Sequence, residues 1–110
     1  MIVKDRNKGL RVLDYIDENE ILAQLSEEAS EVAKAALKLR RARDRKNPTP
    51  VSIREAWADL NEEYGDVLNC LYALFDDDDD RIYDFFEHAN ITADEKRKRW
   101  IKRLKERNQF

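Results

Sequence analysis

Two long amphipathic stretches, divided by a segment that no helix can cross, limit the folds open to this chain. From about Asp17 to Arg43 the apolar residues Leu22, Leu25, Ala29, Val32, Ala36 and Leu39 recur at spacings of three and four, the seam of a packed helix. Asn47-Pro48-Thr49-Pro50 ends that run, because proline lacks the amide a helix needs and its ring clashes with the preceding turn. Ser52-Ile53-Arg54-Glu55 opens a second helix as a capping box, hydroxyl and carboxylate each satisfying an end-of-helix amide. Its apolar set (Ile53, Ala56, Trp57, Leu60, Tyr64, Val67, Leu68, Leu71, Leu74, Phe75) repeats the same spacing to about Phe75. Such a chain is expected to bend near Asn47 into an antiparallel helix hairpin.

The remaining segments read as shorter elements. Residues 5–16 suggest a short first helix, interrupted by Gly9, whose apolar residues (Leu10, Val12, Leu13, Tyr15, Ile16) fit no single period. The run Asp76 to Asp80 serves as a loop and places negative charge before a helical segment Arg81 to His88, where it is favourable. Thr92-Ala93-Asp94-Glu95 is a second capping box, predicting a last helix from about Ala93 to Arg107. The expected fold is all-α: one domain over residues 1–110, a helical bundle built on the hairpin with shorter flanking helices. Two glycines and two prolines in 110 residues agree with it. With 42% apolar residues the chain can form a core and bury roughly two thirds of its unfolded surface.

With 41% charged residues, and no apolar run near the roughly 20 that span a bilayer, a membrane protein is excluded. The opening Met1-Ile2-Val3-Lys4-Asp5-Arg6 lacks the order of a signal peptide, and a lone Cys70 builds no disulfide framework. A cytoplasmic setting is the expectation. A net charge of -3 weighs against a dedicated nucleic-acid binder.

Acidic residues lie in the middle of both long helices: Glu27, Glu28 and Glu31 in one, Glu62, Glu63 and Asp66 in the other. Glu31 and Glu63 are equidistant from Asn47, and so are Glu28 and Asp66. With the same rise of about 1.5 Å per residue on both arms, the two pairs reach one height. On a helical wheel they occupy edges that face the same side of the contact, so four carboxylates converge. Anions gathered beside a low-dielectric core repel one another and call for a cation. An all-oxygen set without histidine suits Mg2+ or Mn2+ rather than zinc or a His-containing di-iron centre. Mg2+ held by a few carboxylates completes its shell with water and substrate phosphates. The plainer reading is a solvated acidic face, with Glu31 and Lys34 an ordinary i,i+3 pair. On spacing alone both readings stand.

Glu27-Glu28-x-x-Glu31 followed by Glu63-x-x-Asp66 resembles the two-part acidic signature of MazG-like nucleotide pyrophosphohydrolases, within the all-α NTP pyrophosphatase superfamily. The surrounding text is similar too, Leu22 to Leu39 reading like the family's first motif helix and Glu62 to Leu68 like its second. The resemblance implies Mg2+-dependent hydrolysis of a nucleoside triphosphate, between its α and β phosphates, to the monophosphate and pyrophosphate. It makes Glu28, Glu31, Glu63 and Asp66 metal ligands, with Glu27 binding a further ion or orienting the attacking water. Lys96, Arg99 and Arg103 resemble the basic element that contacts the triphosphate in relatives. Arginine suits bidentate phosphate contacts and lysine a point charge. A homo-oligomer, dimer or tetramer, is also implied.

Other residues read as structural. Trp57 and Trp100 fall on apolar stripes as core or subunit contacts, Tyr64 and Phe75 as packing, and Cys70 as a small buried hydrophobe. Asn69, one turn after Asp66, is within reach of a substrate or is a surface amide. The competing function is a non-catalytic helical module that associates through the basic last helix, binding RNA, DNA or an acidic partner. A nucleotide sensor that keeps the metal site without turnover is a third.

Overall fold

The computed structural model describes residues 10–44 and 51–108. Most of these are helical: a 3-10 turn at Val12–Asp14 precedes α1 (Glu18–Asp44), α2 (Ile53–Leu74) and α3 (Asp79–Arg107), and no strand occurs among the described residues. The bend expected near Asn47 lies outside them, as do residues 5–9 of the expected first helix.

Local chemistry sets the helix ends. The Asp17 carboxylate accepts from the Glu20 amide at 2.8 Å to start α1. Glu18 and Glu20 then lie in the first turn and Arg41 and Arg43 in the last, each matched to the helix dipole. Ser52 Oγ accepts from the Glu55 amide at 3.0 Å, opening α2 as its sequence predicts. Beyond Leu74, Asp76 and Asp77 both adopt φ 54°, the left-handed region that aspartate enters more readily than most side chains. Their amides bond to the Ala73 and Tyr72 carbonyls, each at 3.0 Å, and so close the end of α2. Asp78 then caps α3, accepting from the Asp80 amide at 3.0 Å and the Arg81 amide at 3.3 Å.

Two predicted elements differ. The separate short helices over Arg81–His88 and Ala93–Arg107 are one continuous helix of 29 residues. No glycine or proline lies between residues 81 and 107 to break it, and Thr92 with Glu95 suits a helix interior as well as a helix start. A capping box caps only when the backbone before it has left the helix. In its described part, the helix predicted over 5–16 is only the turn at Val12–Asp14. Side chains hold this segment instead: Arg11 Nη1 donates to both Asp76 oxygens at 2.8 and 2.7 Å, and Nη2 to Asp14 at 2.8 Å.

The chain divides into two compact units, Met1–Asp77 and Asp78–Phe110. In the first, α1 packs on α2, and partners on α2 fall in number as those on α1 rise. Ile21, only 2% exposed, clusters with Cys70 and Ala73, and Leu13, Ile16, Leu25 and Leu74 pack around them. Further along, Lys38 Nζ meets Asp59 Oδ2 at 2.7 Å, near the buried Ala35, Leu39 and Ala56. The second unit is α3, acidic at Asp79 and Asp80 and basic at Lys105 and Arg107. Among the described residues no helix is long and apolar enough to cross a membrane.

Candidate metal centre

Burial of the α1 and α2 seams against each other carries the flanking acidic positions to a common place. Glu28 from α1 and Glu63 and Asp66 from α2 each offer a carboxylate oxygen, and these oxygens lie within 4.8 Å of one another. Glu28 and Glu63 are half-buried. Gln24 Nε2 donates to Glu28 Oε1 at 2.7 Å from one turn earlier. Among the described residues, no lysine or arginine forms an ion pair with Glu28, Glu63 or Asp66.

Electrostatics register this crowding. Loss of hydration raises the Glu63 carboxyl above the ordinary carboxylate range, and repulsion from Asp66, Glu31, Glu28 and Glu62 raises it further. The Cys70 thiol is likewise raised, first by burial and then by the charges of Glu28 and Asp66. It is free and buried, as a small apolar residue should be. Three anions at this separation, with no basic residue paired to them, fit a hard divalent cation, and the set contains neither histidine nor thiolate.

Glu31 stands beside this trio, close enough for its charge to act on Glu63, and it accepts from Lys34 Nζ at 3.2 Å. Glu27 is exposed on α1 and is not one of the three that meet. Lys96, Arg99 and Arg103 all lie on α3, in the second unit. There Lys96 and Arg103 line a groove with Ala93, Arg97 and Trp100, without Arg99.

Sequence reasoning passed over a groove that begins at the acidic cluster. Glu31 and Glu63 form one end of it, and Lys34, Ala35, Lys38, Arg41 and Asp59 complete its lining. The available signal was the i, i+4, i+7 spacing of Lys34, Lys38 and Arg41, which puts three cations on one face of α1 directly after the acidic motif. Trp57, expected in the core or a subunit contact, is 52% exposed. It shares a second, apolar groove with Val32, Leu60, Asn61 and Tyr64. Asn69 lines a small apolar hollow with Val12, Ile16 and Ile21 rather than the acidic cluster. Comparison with protein-family models, with curated proteins and with solved structures finds no match to this chain.

Proposed function

We propose that this chain is a Mg2+-dependent nucleoside triphosphate pyrophosphohydrolase. It adds water across the α–β anhydride of an NTP or dNTP, releasing the nucleoside monophosphate and pyrophosphate. One observation carries the reading: carboxylate oxygens from two helices, distant in sequence, lie within 4.8 Å of one another with no basic residue paired to them among those described. The same residues carry the resemblance to MazG-like enzymes, whose hairpin of antiparallel helices this reading adopts for α1 and α2.

Glu28, Glu63 and Asp66 would hold the ion, and Glu31, now paired with Lys34, would be the fourth carboxylate available to it. When bound, Mg2+ supplies charge neutralisation at the phosphates and polarises the bond to be broken. Glu27, one residue from the ligands, binds a further ion or orients the attacking water. The chain contributes position and charge rather than a nucleophile, as phosphoryl chemistry requires. Lys96, Arg99 and Arg103 are phosphate contacts by the same resemblance, and the active form is a homodimer or homotetramer.

The test is pyrophosphate release from a panel of ribo- and deoxyribonucleoside triphosphates, with and without Mg2+. Release should require the metal and should be suppressed in Glu63→Gln. A protein inert across the whole panel overturns the proposal.

A further inference from the structure

The groove running from the acidic cluster along α1 has a charge balance that a bound metal would shift from acidic towards neutral. Its ionisable lining consists of Glu31, Asp59 and Glu63 against Lys34, Lys38 and Arg41, so without an ion the charges cancel and an anion gains little by entering. Glu28 and Asp66 add two further negative charges at the cluster end, so the empty groove and cluster together are acidic by about two charges, and a divalent ion held at Glu28, Glu63 and Asp66 brings them to about neutral, with the three cations no longer opposed. The cations are also available. Lys34 is bonded to Glu31 at 3.2 Å with its side chain 72% exposed, and Lys38 to Asp59 at 2.7 Å with both side chains over a third exposed. Pairs this exposed are weak and exchange partners readily. Arg41 has no ion pair among the described residues and carries the planar fork suited to bidentate phosphate contact.

We infer that Lys34, Lys38 and Arg41 form a polyphosphate cradle beside the metal cluster: a phosphate chain anchored at the ion lies along α1, with Arg41 gripping its far end. This rests on the metal reading above, and it places phosphate recognition within the same helix pair as the ion. The occupant is an inorganic or nucleoside polyphosphate. A single phosphate is too short, because Arg41 lies ten residues beyond Glu31, about 15 Å along the helix axis before the side chains reach inward.

Calorimetric titration of the full chain with inorganic tripolyphosphate tests the cradle without reference to turnover. With Mn2+ present the wild type should bind it, and without Mn2+ binding should fall at least tenfold. Arg41→Gln should weaken binding roughly 10- to 100-fold, the worth of one charge-assisted contact, while Arg41→Lys, which keeps the charge and loses the fork, should show an intermediate loss, and both variants keep wild-type Mn2+ uptake and melting temperature. Orthophosphate should bind far more weakly than tripolyphosphate. If Arg41→Gln and Lys38→Gln both bind tripolyphosphate within twofold of wild type, or the wild type binds none with or without Mn2+, the cradle is overturned. Failure of the metal reading looks different: the wild type then takes up no Mn2+ and releases no pyrophosphate. Tripolyphosphate binding in that case, with no ion to anchor the chain, would overturn the cradle as well.

Discussion

Replacing Glu63 by glutamine should move stability in opposite directions with and without metal. Glu63 is one of three acids whose oxygens lie within 4.8 Å of one another, so the change removes two of the three repulsive contacts and keeps the side chain's shape. Metal-free Glu63→Gln should therefore melt above the wild type. With metal the order reverses. Saturation of the wild type at a hundred times Kd stabilises it by about 2.7 kcal/mol. For a unit the size of Met1–Asp77, that corresponds to a rise of about 11–22 °C. Loss of a ligand raises Kd by at least about a hundredfold, the upper end of what losing an outer-shell partner costs. The same metal concentration then equals Kd and adds only about 0.4 kcal/mol, or about 2–3 °C. Thermal melts at several pH values, with and without Mn2+, measure both effects. The metal-free Glu63 carboxyl lies above its ordinary range, so just above that range the folded protein holds a proton that the unfolded chain has released. Metal-free stability should fall as pH rises through this window, while the Mn2+-induced shift, which needs the carboxylate, should grow. A metal-free variant that melts below the wild type, or one that keeps the full Mn2+ shift, refutes the reasoning.

Two further outcomes probe the scaffold. Ile21→Ala, at the most enclosed large side chain, should cost about 3 kcal/mol in urea denaturation, whereas Leu22→Ala, 49% exposed, should cost under about 1 kcal/mol; equal costs would place the core elsewhere. Sedimentation at micromolar concentration should give a dimer or tetramer, since Trp57 and Tyr64 are each about half exposed around an apolar groove, and a compact monomer counts against an assembled enzyme.

Much of the first unit was legible because its signals are local or periodic. Ser52 announces the start of α2 through a single side-chain contact, whereas the expected α1 seam is only partly right: Leu25, Val32 and Leu39 turn inward, Leu22, Ala29 and Ala36 are exposed, and the buried face runs through Ile21 and Ala35 instead. Of the four carboxylates expected to converge, Glu28, Glu63 and Asp66 meet, while Glu31 pairs with Lys34 as the plainer reading has it. Continuity of α3 was not legible, since the same Thr92-x-x-Glu95 pattern serves a helix start and a helix middle. For Trp57 the wheel left core and subunit contact open, since it gives the angle of a side chain but not how far a neighbouring surface extends over it, and the exposure of Trp57 removes the core alternative within this unit. The cradle was hidden because Lys34, Lys38 and Arg41 gain meaning only once Asp59 and Glu63 of α2 are known to face them.

The order of side chains along the α1–α2 contact ties stability to function. Going up α1, the contact runs from apolar at Ile21 to acidic at Glu28 and Glu31, then to basic at Lys34, Lys38 and Arg41. α2 answers in reverse with Ala73 and Cys70, Asp66 and Glu63, and then Asp59. Apolar contacts at Ile21, Cys70 and Ala73 on one side and at Ala35, Leu39 and Ala56 on the other hold the helices together while the acidic middle pushes them apart, and Cys70 is buried yet within the field of Glu28 and Asp66. A divalent ion bound there would remove this opposition, turning the repulsive middle into a crosslink between helices. Substitutions that relieve the repulsion by removing acids would stabilise the empty fold and disable the site together, the trade between stability and activity expected where charges are gathered for chemistry.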